Sequence, residues 1–595
     1  MELNTIKQKI FSMVGCSFDG NLEADFFEGV KVKFDGKNAV IGYSTKPQFA
    51  RGCMLLAKAI SEGKTQVDIT EVPHFKSCGL MLDMSRNGVM RVNKVKEYLD
   101  YMAAYGMNAV MLYTEDTYEV EEYPEFGYLR GSYTVDELKE IDDYAYSLGI
   151  EVIPCIQTLG HLEHFTKWGS GRALADMENV LFAGEEETYK FIEACIKTVR
   201  GALRSNRIHV GMDEAFAVGR GKYLDKHGYV EPTEIITQHL GRVSEICKKY
   251  GYQPMMWSDM YFRKKGVPND YNADVLVDPE IAKNIPDVDM VYWDYYHADY
   301  QFYDDLFNHH EALNKTVHFA GGIWTWVGFL PNTGLTDKFS PNAMLASVNH
   351  KAHSVFGTMW GDDGAETDVF MALGQIPYVS EYCYRGADAT PEDVYEIGSF
   401  VSGFDRDFYN ACADFHKEVY FVGKRIMWTD IIYDMHGTNI DPDEYVAQMK
   451  AAAELMDKKA HLKDKNYRYY KYAKKIFEIL TIKTPILYNM DKEYQAGNRA
   501  YFLHLAKNEL PELKKKYAKL CKIHKENWFE TNKPNGFEVL LERYAGILAR
   551  LDYTIELFEG YGNGSLEIIE ELSQRRIPGR NAGIAYKTLY SPCWK

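Results

Sequence analysis

Asp213 and Glu214 stand side by side at the end of the run Arg207-Ile208-His209-Val210-Gly211-Met212. An apolar run with β-branched residues reads as a short buried strand, and a strand is a rigid mount for reactive groups. Two adjacent carboxyls at such an end are reagents for acid-catalysed bond cleavage, provided their surroundings push their pKa values apart. Asp-Glu pairs are also common on solvated surfaces, so the pair alone does not decide, and the elements that mount it have to be read.

From about Ser77, short apolar runs alternate with amphipathic segments, the pattern of βα units. Eight strand candidates occur: Leu80–Met84, Ala109–Tyr113, Val152–Ile156, Ile208–Gly211, Pro254–Trp257, Met290–Trp293, Val317–Ala320 and Val355–Trp360. Helices are expected between them at Val92–Tyr105 and at Val135–Leu148, the latter opened by a Thr134/Glu137 capping box. Another is expected to open at Ser340-Pro341, a cap followed by Pro at the first helical position. Eight such units over residues 76–390 predict an α/β fold, a (β/α)₈ TIM barrel. A doubly wound sheet fits less well, because no Gly-rich phosphate turn follows a strand.

Residues 1–75 read as a small α+β accessory domain. Val30–Phe34 and Asn38–Ile41 flank Asp35-Gly36, which predicts a hairpin with a type I′ turn. A helix over Pro47–Glu62 and a strand over Gln66–Thr70 follow. Residues 391–595 lose the strand signal and read as an all-helical domain, with runs at Pro442–Lys459, Arg468–Leu480, Leu510–Lys525 and Phe537–Phe558 broken at Pro534-Asn535-Gly536. Its apolar-faced helices exceed what a capping layer needs, and a homodimer is expected through them.

In a barrel, chemistry collects at the C-terminal ends of the strands. The expected ends carry Asp83-Met84-Ser85-Arg86, Glu115-Asp116, Gln157 to His161, Asp213-Glu214, Trp257-Ser258-Asp259, Trp293-Asp294-Tyr295-Tyr296, Trp324-Thr325-Trp326 and Trp360-Gly361-Asp362-Asp363. The chain has 9 Trp, and five of them fall on the last four of these ends. An acidic pocket walled by indoles suits a neutral polyhydroxylated ligand: ring faces cover sugar C–H groups and carboxylates accept from hydroxyls.

The formal net charge of −18 argues against nucleic acid or an anionic membrane as partner. None of the 10 Cys forms a CxxC pair, the usage of a reducing compartment. No leader and no membrane-spanning run is evident, and a cytoplasmic location is expected. His161, His209 and Asp213 raise the question of a metal. No HExxH helix and no His pair on the first strand accompany them, so neither a metal nor another cofactor is expected. His209, inside an apolar strand, reads as a hydrogen-bonded core residue.

His209-Val210-Gly211-Met212-Asp213-Glu214 resembles the H-x-G-x-D-E motif of glycoside hydrolase family 20, the β-N-acetylhexosaminidases. Arg86 is similar to that family's sugar-binding Arg, and Gly160-His161 to its third-strand Gly-His. Trp257, Trp293, Trp324 or Trp326, and Trp360 fall where the family lines its pocket. The resemblance covers about residues 1–390. The helical C-terminus resembles a bacterial branch of exo-N-acetylglucosaminidases. The chain departs from the pattern at Glu115-Asp116, where two Asp are usual, at Trp324-Thr325-Trp326, which lacks the usual Tyr-x-Asp, and at Asp362, where Glu is usual.

The resemblance implies an exo-acting, retaining enzyme that removes terminal N-acetylglucosamine or N-acetylgalactosamine from oligosaccharides, with the substrate's own acetamido group as nucleophile. It implies Glu214 as general acid and Asp213 as the carboxylate that orients the acetamido group. Arg86 and Asp362 would hold the non-reducing hydroxyls, and His161 with Glu115 would form a supporting pair. Tyr295 is the candidate for gripping the acetamido oxygen. A non-catalytic carbohydrate-binding barrel is the alternative; it would need the pocket but not the acid, and Glu214 is present.

Overall fold

The computed structural model describes residues 1–264, 271–417, 421–435, 440–461, 464–574, 576–577 and 583–593. All eight expected strands form, and they close into one parallel barrel. They are β1 (Ser77–Asp83), β2 (Ala109–Thr114), β3 (Glu151–Ile156), β4 (Arg207–His209), β5 (Gln253–Trp257), β6 (Asp289–Asp294), β7 (Val317–Gly322) and β8 (Ser354–Met359). β8 returns to β1 over Ser354↔Ser77 through Met359↔Leu82, which closes the ring. Nearly every residue of β2, β3 and β8 is buried, as a strand covered on both faces requires.

The helix Val135–Leu148 has the expected capping box: Thr134 Oγ1 accepts from the Glu137 N–H at 3.1 Å, and Glu137 accepts from the Thr134 N–H at 3.0 Å. The expected start at Ser340-Pro341 is corrected. The helix runs Thr333–Asn349 with Pro341 inside it, and its cap is Asn332, whose side chain accepts from the Leu335 N–H at 3.2 Å. The cap three residues before Leu335 outweighed the Pro signal.

The N-terminal module has a four-stranded sheet ordered Asn21–Phe26, Asn38–Tyr43, Val30–Phe34, Val67–Glu71, with helix Lys46–Ser61 packed on it. The first strand was not legible because it is an exposed edge with no apolar alternation. The hairpin turn has a positive φ only at Gly36 (+91°), so it is not type I′. The Asp35 carboxylate supplies the turn instead, accepting from the N–H groups of Lys37 and Asn38 at 2.9 and 2.6 Å. A buried ion cluster fastens this module to the barrel: Arg51 meets Glu71 at 2.6 Å and Glu381, in helix Pro377–Arg385, at 2.8 Å.

Beyond Pro391 every regular element is helical among the described residues. Pro442–Lys459 forms with the expected bounds, and the other three helices outrun their expected ends. Tyr467–Gln495 continues through Pro485 because its buried stripe goes on to Ile486, Leu487 and Met490. The apolar faces of these helices join the same continuous core as the barrel. Much of the surface that suggested a dimer is therefore covered by the chain itself. No helix among the described residues is long and apolar enough to cross a membrane.

Candidate active site

The β4 ladder ends at His209, and the chain then turns sharply. Gly211 (φ +71°) leads into Met212 (+74°), and Glu214 also has a positive φ (+47°). Only glycine fits at 211, since a Cβ there would lie 2.1 Å from Gln157 Oε1. Non-glycine residues in this region are strained and persist where neighbours hold them. The neighbours here are Gln157 Oε1, accepting from the Met212 N–H at 3.2 Å, and Asp259 Oδ2, accepting from the Glu214 N–H at 3.0 Å.

The two adjacent carboxyls meet different surroundings. Asp213 is buried, and its Oδ1 accepts from Gln157 Nε2 at 2.7 Å. The Glu214 side chain is 35% exposed and reaches the pocket. His161 Nε2 lies between them, 3.3 Å from Asp213 Oδ2 and 3.3 Å from Glu214 Oε2. It is a charge partner of both, without a well-aligned hydrogen bond to either. Burial would raise the Asp213 pKa, but the His161 charge, the Gln157 amide and Arg86 outweigh it and hold Asp213 down to about 2. Burial likewise opposes charge on His161, and Asp213 and Glu214 together raise it well above its ordinary value. Asp213 is thus a fixed anion paired with an imidazolium.

Opposite this pair, Arg86 forms an ion pair with Asp362 and lies over the Trp360 ring, 4.7 Å from its centroid. Asp83 links the two loops: its Oδ1 accepts from the Arg86 N–H at 3.1 Å and its Oδ2 from the Gly361 N–H at 2.9 Å. Glu115 accepts from Arg86 Nε at 3.3 Å and from the Tyr113 hydroxyl at 3.1 Å. Burial dominates at Glu115 and pushes it up to about 7 in spite of Arg86 and His161. Of the expected Glu115–His161 pair only a charge contact is present: the hydrogen bonds of the longer Glu go to Arg86 and Tyr113, and His161 lies against the acid pair.

Arg86, Asp213, Glu214, Trp257, Trp293, Tyr295, Trp326, Trp360 and Asp362 line one pocket, and Tyr296 joins them. Trp293 and Tyr295 stack at 5.1 Å. Trp324 is displaced from the wall: it stacks behind Trp326 at 4.2 Å. His161 and Glu115 stand behind the lining. His209 is a core residue, its Nδ1 accepting from the Gly211 N–H at 3.1 Å, and burial pulls its pKa down to about 3. Sequence reasoning missed Gln157, Asp259 and Asp83 as orienting groups. All three are at strand ends, which was the available signal. Among the described residues, His161, Asp213 and Glu214 form a group of potential metal ligands within 4.8 Å of one another. A metal there would have to displace the imidazolium proton.

Residues 75–282 match the family model of the glycosyl hydrolase family 20 catalytic domain, and residues 411–588 that of the Glycoside Hydrolase 20C C-terminal domain. Hexosaminidase D of Bos taurus is 28% identical over 263 residues, 42% of this chain and 71% of that protein. Hexosaminidase D of Homo sapiens is 27% identical over 215 residues, 34% of this chain and 42% of that protein, so less than half of its length is spanned. In fold, the chain is similar to the family 20 β-N-acetylhexosaminidase of Streptomyces coelicolor, with a TM-score of 0.51 and 15% identity over 68% of this chain and 90% of that one. The family is matched both on the stretch that carries the acid pair and on the helical region behind it, and the chain belongs to glycoside hydrolase family 20 as a glycoside hydrolase of the β-hexosaminidase type.

Proposed function

We propose that the protein is an exo-acting, retaining β-N-acetylhexosaminidase that releases terminal N-acetylglucosamine, or its C4 epimer, from oligosaccharides by substrate-assisted catalysis. The observation that carries this reading is the unequal treatment of two adjacent carboxyls. Asp213 is buried, anionic and locked, whereas Glu214 reaches the pocket. Consecutive residues on one strand end cannot easily straddle a glycosidic bond. They can hold an acid beside the leaving oxygen and an anion beside the 2-acetamido group.

Glu214 gives its proton to the glycosidic oxygen as the bond to C1 breaks. The acetamido carbonyl oxygen forms the new bond to C1 from the opposite face, and the anionic Asp213 accepts the acetamido N–H and stabilises the oxazolinium charge. Water then attacks C1, loses a proton to the Glu214 carboxylate, and the ring opens with net retention. Tyr295 grips the acetamido oxygen, the indoles cover the ring faces, and Arg86 with Asp362 binds the non-reducing hydroxyls, which makes the enzyme exo-acting.

The test compares an aryl N-acetyl-β-glucosaminide with the aryl β-glucoside that carries a 2-hydroxyl. The first should turn over and the second hardly at all, since an intramolecular nucleophile is worth an effective molarity of about 10⁵ M or more. A thiazoline mimic of the intermediate should inhibit the wild type strongly and Asp213→Asn weakly. Brisk hydrolysis of the glucoside, or a sugar ester trapped on Asp213 or Glu214, would overturn the reading.

A homodimer through the helical domain and a reducing, cytoplasmic location complete the proposal. Leu541, Tyr553 and Ile568 remain exposed there, and the ten cysteines are all free. A chain-alone mass at micromolar concentration would remove the first, and cell fractionation checks the second.

A further inference from the structure

The loop after β8 carries Asp362 and then runs through three successive left-handed residues, Asp363 (φ +52°), Gly364 (+111°) and Ala365 (+51°). Non-glycine residues hold such conformations only where their surroundings over-determine them. These surroundings come from the far end of the chain. Arg543, in helix Phe537–Asn563, donates to Asp363 Oδ1 at 2.9 Å, to the Asp363 carbonyl at 2.7 Å and to Glu366 Oε1 at 2.7 Å. The buried Lys424 Nζ lies 2.8 Å from Asp363 Oδ2, and the Trp428 indole N–H donates to Glu366. Ala365 packs on a small separate apolar cluster of Trp528, Phe537 and Leu540.

The Arg86 side is strapped in the same way. Asn87 (φ +80°) donates its amide to the Gly364 carbonyl at 3.0 Å and to the Gly536 carbonyl at 2.8 Å. Gly536 (φ +94°) sits so close that a Cβ would come within 2.2 Å of the Asn87 carbonyl oxygen. Arg86 and Asp362 thus each precede a residue fastened to the helical domain.

We propose that the C-terminal helical domain is a positioning element for the Arg86–Asp362 pair, and that Asn87, Arg543 and Gly536 are the positioning residues through which it sets recognition of the terminal sugar. This rests on the sugar-binding role proposed above for Arg86 and Asp362. The acid pair is held by Gln157, His161 and Asp259, all within the barrel, so the helical domain acts on recognition and leaves the bond-breaking step alone.

Arg543→Ala would take a cation from the buried Glu366 and the half-buried Asp363 and risks the fold. Asn87→Gly is the better test, because glycine accepts the positive φ and only the amide straps are lost. Gly536→Ala presses on the same contact from the other side. Each is made in the full chain, alone and combined with Arg86→Ala, and followed on an aryl N-acetyl-β-glucosaminide with a thermal melt alongside. We expect KM to rise about tenfold with kcat within about twofold, as if one well-placed hydrogen bond to the sugar were lost. We expect that rise to vanish in the Arg86→Ala background, as coupled sites require. Equal losses in both backgrounds, a fall in kcat at constant KM, or unchanged kinetics would overturn the inference. A wild type without turnover sinks the functional reading and this inference with it, whereas an active wild type with additive variants sinks this inference alone.

Discussion

Asp213, in the pocket wall, and Glu115, behind it, are both buried carboxylates beside a cation, yet one is held at about 2 and the other rises to about 7. Burial pushes both upward. Asp213 overcomes it with an amide N–H at 2.7 Å, an imidazolium and the field of Arg86. Glu115 has Arg86 at 3.3 Å and a hydroxyl, and Arg86 is also committed to Asp362. Desolvation is decided by how many donors converge on the charged form, and by whether the cation is shared. The comparison also separates the parts of the chain. The acid end is built by barrel residues, and the recognition end depends on a loop held from the helical domain.

The largest test of this division is Glu214→Gln. It keeps the shape and removes the proton donor, so the rate should fall roughly 10²–10⁴-fold. The loss should shrink for a good phenolate leaving group, which needs no proton. Equal losses for good and poor leaving groups would count against the acid role.

Stability against pH separates the two carboxylates next. The folded Glu115 pKa of about 7 lies above its ordinary 4.5, so the folded state keeps a proton that the unfolded state releases. Stability should therefore fall as pH rises from 4.5 to 7, by roughly 2–3 kcal/mol from this group. Asp213 has the opposite sign: its contribution is present above about pH 4 and is lost as pH falls through 2. Urea unfolding of Glu115→Gln across pH 4.5–7 should show a flatter profile than wild type. The same slope in both would mean that Glu115 is already ionised.

Arg86→Ala probes the recognition end directly. Losing charge-assisted bonds to the sugar should cost about 2 kcal/mol, roughly thirtyfold in kcat/KM. The proposed role is wrong if the variant hydrolyses the aryl glucosaminide as efficiently as wild type.

The smallest effect separates two stacked indoles. Trp326→Phe trims the pocket wall, while Trp324→Phe changes the ring behind it. We expect KM to rise several-fold in the first, and the second to lower Tm with KM nearly unchanged. A larger KM effect at Trp324 would reverse the assignment.

The sequence by itself determined the eight strands, the strand-end rim that carries the pocket and the adjacent carboxyl pair, because those signals are local. Strand runs, a capping box such as Thr134/Glu137 and a carboxyl pair at a strand end are readable within a few residues. The N-terminal edge strand was missed because its exposure leaves no apolar alternation, and the start of the Pro341 helix was misread because the Asn332 cap outweighs the Pro signal. Tertiary structure alone decided which neighbour each side chain takes. Glu115 could have turned to His161 or to Arg86, and either Trp324 or Trp326 could have faced the pocket. The straps on Asn87 and Asp363 join residues 449 and 180 positions apart. A chain carries no local signal for a bond of that span; it exists only because the helical domain packs back on the barrel rim, and packing is a property of the whole fold.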